Sequence, residues 1–96
     1  MRKQAAMLTE EDLAKLCDVA IMLNYLQILG VYWRRGTWQF QVGREALVQA
    51  AKMTCSRLVI QHESRDGTAH VMADVGGIEL VAEFPPGELP AGIERR

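Results

Sequence analysis

The chain contains few of the residues and patterns that usually carry chemistry. Its 96 residues include only two cysteines, two histidines and three prolines. The cysteines do not form a CxxC spacing, no glycine-rich phosphate loop follows a strand, and no serine lies in a G-x-S-x-G context. The common signatures of redox, nucleotide-binding and hydrolytic sites are therefore missing. We expect a protein that is not an enzyme and that holds no cofactor.

The two cysteines also indicate a compartment. Cys17 and Cys55 both lie in segments with a helical pattern, among apolar or small residues. We predict that they are free, buried thiols in a reducing compartment. The basic start of the chain is too short before the acidic run Glu10–Asp12 to form a signal peptide, and polar residues interrupt the apolar stretch from Leu13 to Trp33. The chain is therefore predicted to be cytoplasmic, with no membrane partner.

The composition is that of a folded protein, and its charge is unevenly distributed. Hydrophobic residues make up 49% of the chain and charged residues 24%, which is usual for a globular domain and excludes disorder. The net charge of −1 hides a gradient. Residues 30–65 carry six basic and two acidic side chains, whereas residues 66–96 carry two basic and six acidic ones. The basic middle of one copy can therefore align against the acidic C-terminal half of a second copy.

A first helix is predicted from Thr9 to Leu29. The Thr9 hydroxyl can cap the N–H of Asp12, the acidic first turn complements the helix dipole, and Gly30 supplies the stop. The first half of the helix has a polar face, but after Asp18 apolar residues point in nearly every direction. A helix that is apolar all round must be covered all round, and a sheet covers only one side.

The segment after this helix predicts a hairpin. Residues 31–34 and 37–42 alternate apolar and polar side chains around Arg35-Gly36, which we take as the turn. This register turns both tryptophans toward the core side. The pairs that it predicts are Trp33–Trp38 and Val31–Phe40.

The last half of the chain predicts a three-stranded antiparallel meander. Asp66-Gly67 and Gly76-Gly77 are both signals for two-residue turns. Around the second turn the register places apolar residues opposite each other on one face, and each row agrees with its neighbour. The predicted pairs are Val75–Ile78, Ala73–Leu80, Val71–Ala82 and Ala69–Phe84. Across the first turn, Leu58, Ile60 and His62 are predicted to join the same face.

With a second helix from Gly43 to about Ser56, these segments predict an α+β fold. Two helices pack on a five-stranded, mainly antiparallel sheet in the order α-ββ-α-βββ. The predicted divisions are a flexible N-terminus (1–8), a single domain (9–84) and a C-terminal tail (85–96). In element order the chain is similar to the roadblock dimerisation modules, which pair through sheet or helix surfaces to form adaptors for small GTPases. The resemblance implies a dimeric adaptor.

The apolar second half of the first helix is the predicted partner-binding surface. Exposed apolar patches larger than roughly a few hundred Å² usually mark interfaces, and symmetric homodimers are the commonest soluble assembly. We therefore expect a non-catalytic protein–protein interaction module or small regulatory adaptor. It is expected to form a homodimer and to bind itself or a protein partner through this helix or a sheet face. The residues assigned to the contact are Met22, Leu23, Tyr25, Leu26 and Leu29.

The hairpin over residues 32–40 supports an alternative function, nucleic-acid binding. Aromatic residues alternate here with arginines, and these side chains can stack on bases and pair with phosphates. The candidate contacts are Tyr32, Arg34, Arg35 and Arg44. The slightly negative net charge of the chain argues against this alternative.

The meander register creates a further candidate site on the outer face of the sheet. It places Glu63 opposite His70 and His70 opposite Glu83, in a carboxylate–imidazole–carboxylate row. Such a row can transfer a proton or ligate a metal ion, whereas the simpler interpretation is a cross-strand charge ladder on a solvated face. No fourth ligand accompanies the row, so no metal is assigned. His62 is predicted to lie on the opposite face, where it cannot act together with His70.

Overall fold

The computed structural model confirms the predicted α+β fold and its order of elements. The structure describes residues 8–95, so nearly all of the N-terminus predicted to be flexible (1–8) lies outside the described residues. The elements are α1 (Glu10–Leu23), β1 (Gly30–Arg34), β2 (Thr37–Gln41), α2 (Arg44–Thr54), β3 (Val59–Glu63), β4 (Ala69–Val75), β5 (Ile78–Phe84) and β6 (Glu94–Arg95).

Helix α1 begins as predicted but ends earlier. The Thr9 hydroxyl accepts the N–H of Asp12 at 3.1 Å, and the Asp12 carboxylate accepts the N–H of Thr9 at 3.1 Å. The helix stops at Leu23 because Asn24 adopts the left-handed conformation, with φ 63°, and its N–H donates to the Ile21 carbonyl. The predicted end at Leu29 is therefore wrong, and Gly30 opens β1 instead of ending a helix.

The sheet has the strand order β1-β2-β5-β4-β3-β6. Most neighbours are antiparallel, as predicted, but β2 pairs with β5 in parallel and β3 pairs with β6 in parallel. Strand β6 belongs to the segment predicted as a C-terminal tail. The hairpin of β1 and β2 therefore joins the meander through β2, which leaves β1 as an outer strand.

One face of the sheet carries the core, because both helices pack against it. Strands β4 and β5 alternate buried and more exposed residues, as expected for strands with a single covered face. Helix α2 buries Leu47, Ala50 and Ala51 against this helix-bearing face, and α1 adds Val19. The opposite face is called the open face below. The sheet residues buried on the helix-bearing face include Phe40, Ile60, Val71, Ala73, Val75, Leu80, Ala82 and Phe84.

The pairings around Gly76-Gly77 and Arg35-Gly36 are confirmed pair by pair, but the register across the first meander turn is wrong. Ser64 donates its N–H to the Thr68 carbonyl at 2.8 Å, which closes a three-residue loop in which Gly67 has φ +88°. The predicted two-residue turn is thus replaced, and the register slips by one. A bulge between Ile60 and His62 adds a second slip.

The two slips together decide on which face of the sheet each β3 side chain lies. A slip of one residue moves a side chain to the other face, and a slip of two returns it. Ile60 lies beyond both slips and is buried on the helix-bearing face, as predicted. His62 lies beyond only the first slip and pairs with His70 on the open face, contrary to the prediction.

Two other sequence expectations concern the cysteines and the membrane. Cys17 and Cys55 are free, as predicted, but both are exposed instead of buried. Cys55 occupies the left-handed cap of α2. No helix within residues 8–95 is long and apolar enough to cross a bilayer.

The early end of α1 makes substitutions at Asn24 diagnostic. Asn24→Gly should leave the free energy of unfolding unchanged or raise it slightly, because glycine adopts the left-handed conformation freely. Asn24→Val should lower it by about 1–2 kcal/mol. Urea unfolding followed by circular dichroism measures both. A helix that continued to Leu29 would reverse the order, since glycine inside a helix costs about 1 kcal/mol and valine less.

The α1 cap also predicts an acid-sensitive helix start. Hydrogen bonds from Thr9 lower the pKa of Asp12 below its ordinary 3.8. The ionised carboxylate therefore stabilises the folded state above pH 3.8, and this contribution is lost as the pH falls through the lower folded-state pKa. Asp12→Asn should make the protection of the Thr9 amide against hydrogen exchange nearly independent of pH in this range. Equal pH profiles for the variant and the wild type would contradict the cap.

Candidate protein-interaction surface

The residues predicted to bind a partner divide into two groups in the structure. Met22, Leu23 and Leu26 are partly buried and pack against the core. Tyr25 and Leu29 are exposed, with 73% and 54% of their surface accessible. The chain leaves the helix at Asn24. From Tyr25 to Leu29 its side chains alternate between exposed and partly buried, which separates Leu26 from Tyr25 and Leu29.

The exposed apolar side chains are concentrated in this part of the chain. Six of the eight large hydrophobic side chains that are exposed among residues 8–95 fall between Ile21 and Trp33. Ile21 is the most exposed of them, at 77%. We call these residues the 21–33 surface. Its members are Ile21, Tyr25, Leu29, Val31, Tyr32 and Trp33.

Half of the 21–33 surface belongs to β1, the outer strand of the sheet. Among residues 8–95 no strand pairs with the outer side of β1. Val31 and Trp33 lie on the helix-bearing face, because they pair with Phe40 and Trp38. Trp33 packs edge-on against Trp38, with ring centroids 5.1 Å apart, yet it stays 48% exposed. The predicted face is therefore correct, but the edge position leaves Trp33 half uncovered.

Tyr32 lies on the open face of β1 and is fixed in place. Its hydroxyl donates to the Gln41 Oε1 at 2.9 Å, and its ring lies over Gly30. A Cβ added at Gly30 would meet the Tyr32 hydroxyl oxygen at 2.6 Å. The absence of a side chain at position 30 thus allows the Tyr32 ring to lean along the strand toward the start of β1.

The arginines of the nucleic-acid alternative do not form one patch. Arg34 and Arg35 lie at the turn between β1 and β2, whereas Arg44 opens α2 beyond the far end of β2. The five residues of β2 separate them by about 16 Å at a rise of about 3.3 Å per residue. Arg44 also forms an ion pair with Glu88. The structure therefore brings Tyr32 and Arg34 together on the open face but leaves Arg44 elsewhere.

The predicted carboxylate–histidine–carboxylate row is only half present. Glu83 pairs with His70 as predicted, with 3.8 Å between His70 Nδ1 and Glu83 Oε2. Glu63 instead lies opposite Ala69, because of the one-residue slip in β3. His62 takes its place and stacks on His70, with ring centroids 4.3 Å apart and planes 19° from parallel.

This histidine pair shows little of the geometry of a catalytic or metal site. The Ser64 hydroxyl lies 3.2 Å from His70 Nε2, but both imidazoles and Glu83 lie on a partly solvated sheet face. Parallel stacked rings do not direct their nitrogens at one point between them. Within residues 8–95, no three histidine, cysteine or acidic residues are placed to hold a metal ion.

Sequence reasoning missed a polar network at the centre of the open face. Gln39 is only 2% exposed, although it lies on the face that the helices leave uncovered. Its Nε2 donates to Glu79 Oε1 at 2.8 Å and contacts the Met72 sulfur at 3.8 Å. The parallel pairing of β2 with β5 creates this contact, and no local sequence pattern signals such a pairing.

No family model, curated protein or solved structure matches the chain. The resemblance to the roadblock modules therefore remains a similarity in element order.

The stacked histidines provide a direct test of the register in β3. NMR should show ring-to-ring NOE cross-peaks between His62 and His70, because their centroids lie 4.3 Å apart. His62→Ala should shift the ring resonances of His70 by removing a ring current, whereas Glu63→Ala should shift them much less. In the register predicted from the sequence, the rings lie on opposite faces. Absence of the cross-peaks at full assignment would support that register.

Proposed function

We propose that this protein is a non-catalytic interaction module, a small adaptor that forms a homodimer through the 21–33 surface. The observation that carries the proposal is the concentration of exposed apolar side chains between Ile21 and Trp33. Large apolar side chains exposed together on a small protein usually mark a contact with another chain. The exposure of these side chains is not a general property of α1, because Val19 on the same helix as Ile21 is buried.

The partner proposed first is a second copy of the chain. Closed twofold dimers are the commonest soluble assemblies, and an outer strand offers backbone groups as well as apolar side chains. Aromatic residues are enriched in the centres of interfaces, and the 21–33 surface supplies Tyr25, Tyr32 and Trp33. A further protein partner can bind to the part of the surface that the dimer leaves free.

The proposed location is the cytoplasm. Cys17 and Cys55 are both exposed and free, and exposed free thiols persist best in a reducing compartment.

The proposal predicts a dimer that substitutions on the 21–33 surface disrupt. Val31→Lys tests the strand part of the surface, since edge lysines oppose strand pairing. The double variant Ile21→Lys, Tyr25→Lys tests the helical part. At least one of them should raise the dimer Kd about tenfold or more, because a charge in an apolar contact costs at least about 1.4 kcal/mol. Sedimentation velocity from about 1 µM to about 1 mM covers the weak end of specific interfaces.

Met53→Lys is the matched control. Met53 is exposed to a similar degree, at 50%, but lies on α2 and is not a member of the 21–33 surface. Its substitution adds the same charge and should leave the dimer Kd unchanged. Leu23 and Leu26 are unsuitable for this test, because they pack against the core and their substitution would destabilise the fold. A wild-type protein that is monomeric at the highest concentration would refute the proposal.

A further inference from the structure

The two outer sides of the sheet are treated differently. On the far side, β3 contains a bulge and is partly covered by β6. Bulges and covering segments are the usual ways in which proteins block unwanted strand pairing. On the near side, β1 has no bulge, no proline and no lysine, and every residue after Gly30 is exposed. The fold therefore protects one edge and leaves the other open for pairing.

The hydrogen-bonding pattern of β1 determines which residues can pair outward. Arg34 and Thr37 flank a two-residue turn, and such a pair exchanges both backbone hydrogen bonds. Alternation along the strand then directs the backbone N–H and C=O groups of Tyr32 toward β2. Those of Val31 and Trp33 point to the outer edge. Leu29 does not extend this row, because its N–H donates to the Gln41 carbonyl at 2.7 Å.

Only one antiparallel register uses both outward residues fully with a second copy of β1. Val31 of one copy must pair with Trp33 of the other, which puts Tyr32 on the twofold axis. This register places the larger Trp33 against the smaller Val31 on the helix-bearing face. Registers centred on Val31 or Trp33 would require outward groups from Leu29 or from the turn residue Arg35, whose φ is 53°.

The side chains on the open face fit the same register. Arg34 of one copy lies opposite Gly30 of the other, which has no side chain of its own. The Tyr32 ring leans over Gly30 of its own chain, so the ring does not lie on the twofold axis. It lies beside the position of Arg34 of the other copy. An arginine over a tyrosine face is a favourable cation–π contact. The two Arg34 side chains are kept apart. Arg34 of the second copy lies opposite Gly30 of the first, four positions along the strand from the first copy's own Arg34.

We propose that two copies of this chain pair antiparallel along β1 with Tyr32 at the twofold axis, forming one continuous sheet across the dimer. The inference rests on the proposed homodimer and specifies which part of the 21–33 surface forms it. Strand addition supplies main-chain hydrogen bonds, and the Val31–Trp33 and Tyr32–Arg34 contacts select the second copy as the occupant of the edge.

Cysteine cross-linking tests the position of the axis. In a background in which Cys17 and Cys55 are changed to serine, Tyr32→Cys should form an interchain disulfide under mild oxidation. The two positions form a directly opposed pair with Cα atoms about 4.5–5.5 Å apart, which is within disulfide range. Arg35→Cys is the control on the same hairpin. In the proposed register, its two copies are about 20 Å apart and should not cross-link.

A backbone substitution tests the hydrogen bonds. Val31→Pro removes an outward N–H without affecting the bonds to β2, and proline is tolerated on edge strands in this position. It should raise the dimer Kd about 30-fold relative to Val31→Ala, since each copy loses a donor worth about 1 kcal/mol. Circular dichroism and thermal unfolding confirm that both variants remain folded.

The outcomes separate this inference from the proposed function. Cross-linking at position 32 but not 35, together with a weaker dimer for Val31→Pro than for Val31→Ala, supports edge pairing. Edge pairing is overturned if the wild type is a dimer but Tyr32→Cys does not cross-link and the two Val31 variants have equal dimer Kd. If the double variant Ile21→Lys, Tyr25→Lys then weakens the dimer, the helical part of the 21–33 surface forms it and the proposed function survives. A monomer at all concentrations overturns both.

Discussion

The register of the β4–β5 hairpin is the constraint on which the rest of the structure depends. Gly76 and Gly77 both have positive φ, and the tight turn that they form aligns Val75 with Ile78 and every pair beyond them. That alignment puts a row of apolar side chains on one face, where Val71, Val75 and Leu80 are completely covered. Full burial of each such side chain contributes about 1.5–3 kcal/mol. Both helices pack on this face, and α1 lies over the turn itself, because Val19 and Lys15 approach the two glycines.

The way in which β2 joins this hairpin decides where the exposed surface lies. Parallel pairing of β2 with β5 places β1 outside, and the helices that cover the centre of the sheet leave Val31 and Trp33 half exposed. The early end of α1 then brings Tyr25 and Leu29 to the surface on the way back to β1. The apolar excess of the chain is therefore a property of one sheet edge and of the segment that leads into it. It is not a property of a long helix.

Local structure could be predicted from the sequence where a short pattern is compatible with only one conformation. The Thr9 cap, the two turns whose register is confirmed and the small buried residues of α2 follow from neighbours within a few positions. The three-residue loop that ends at Thr68 and the bulge near Gln61 do not. Asp-Gly suits turns of two lengths, and the longer one is accompanied here by a hydrogen bond from the Thr68 N–H to the Asp66 carboxylate at 2.9 Å. The register of β3, and with it the partner of His70, could therefore not be predicted.

The candidate surface shows the same division. Composition alone indicated that residues 19–29 hold more apolar area than one sheet can cover, and two of the five predicted contact residues, Tyr25 and Leu29, are indeed exposed. Ile21, Val31 and Trp33 were not assigned, because their exposure depends on the end of α1 and on the edge position of β1.

The sequence by itself determined the element order, the alternation of β4 and β5 and the start of α1. These features depend on hydrogen bonds and side-chain periods within a single segment. Only the tertiary structure decided the end of α1, the slip in β3 and the outer position of β1. Asn24 is compatible with a helix or with a cap, and the free energies of such local alternatives differ by only about 1 kcal/mol. Leu23 and Leu26 pack against the core on either side of Asn24, and burial of such side chains contributes free energy of at least this order.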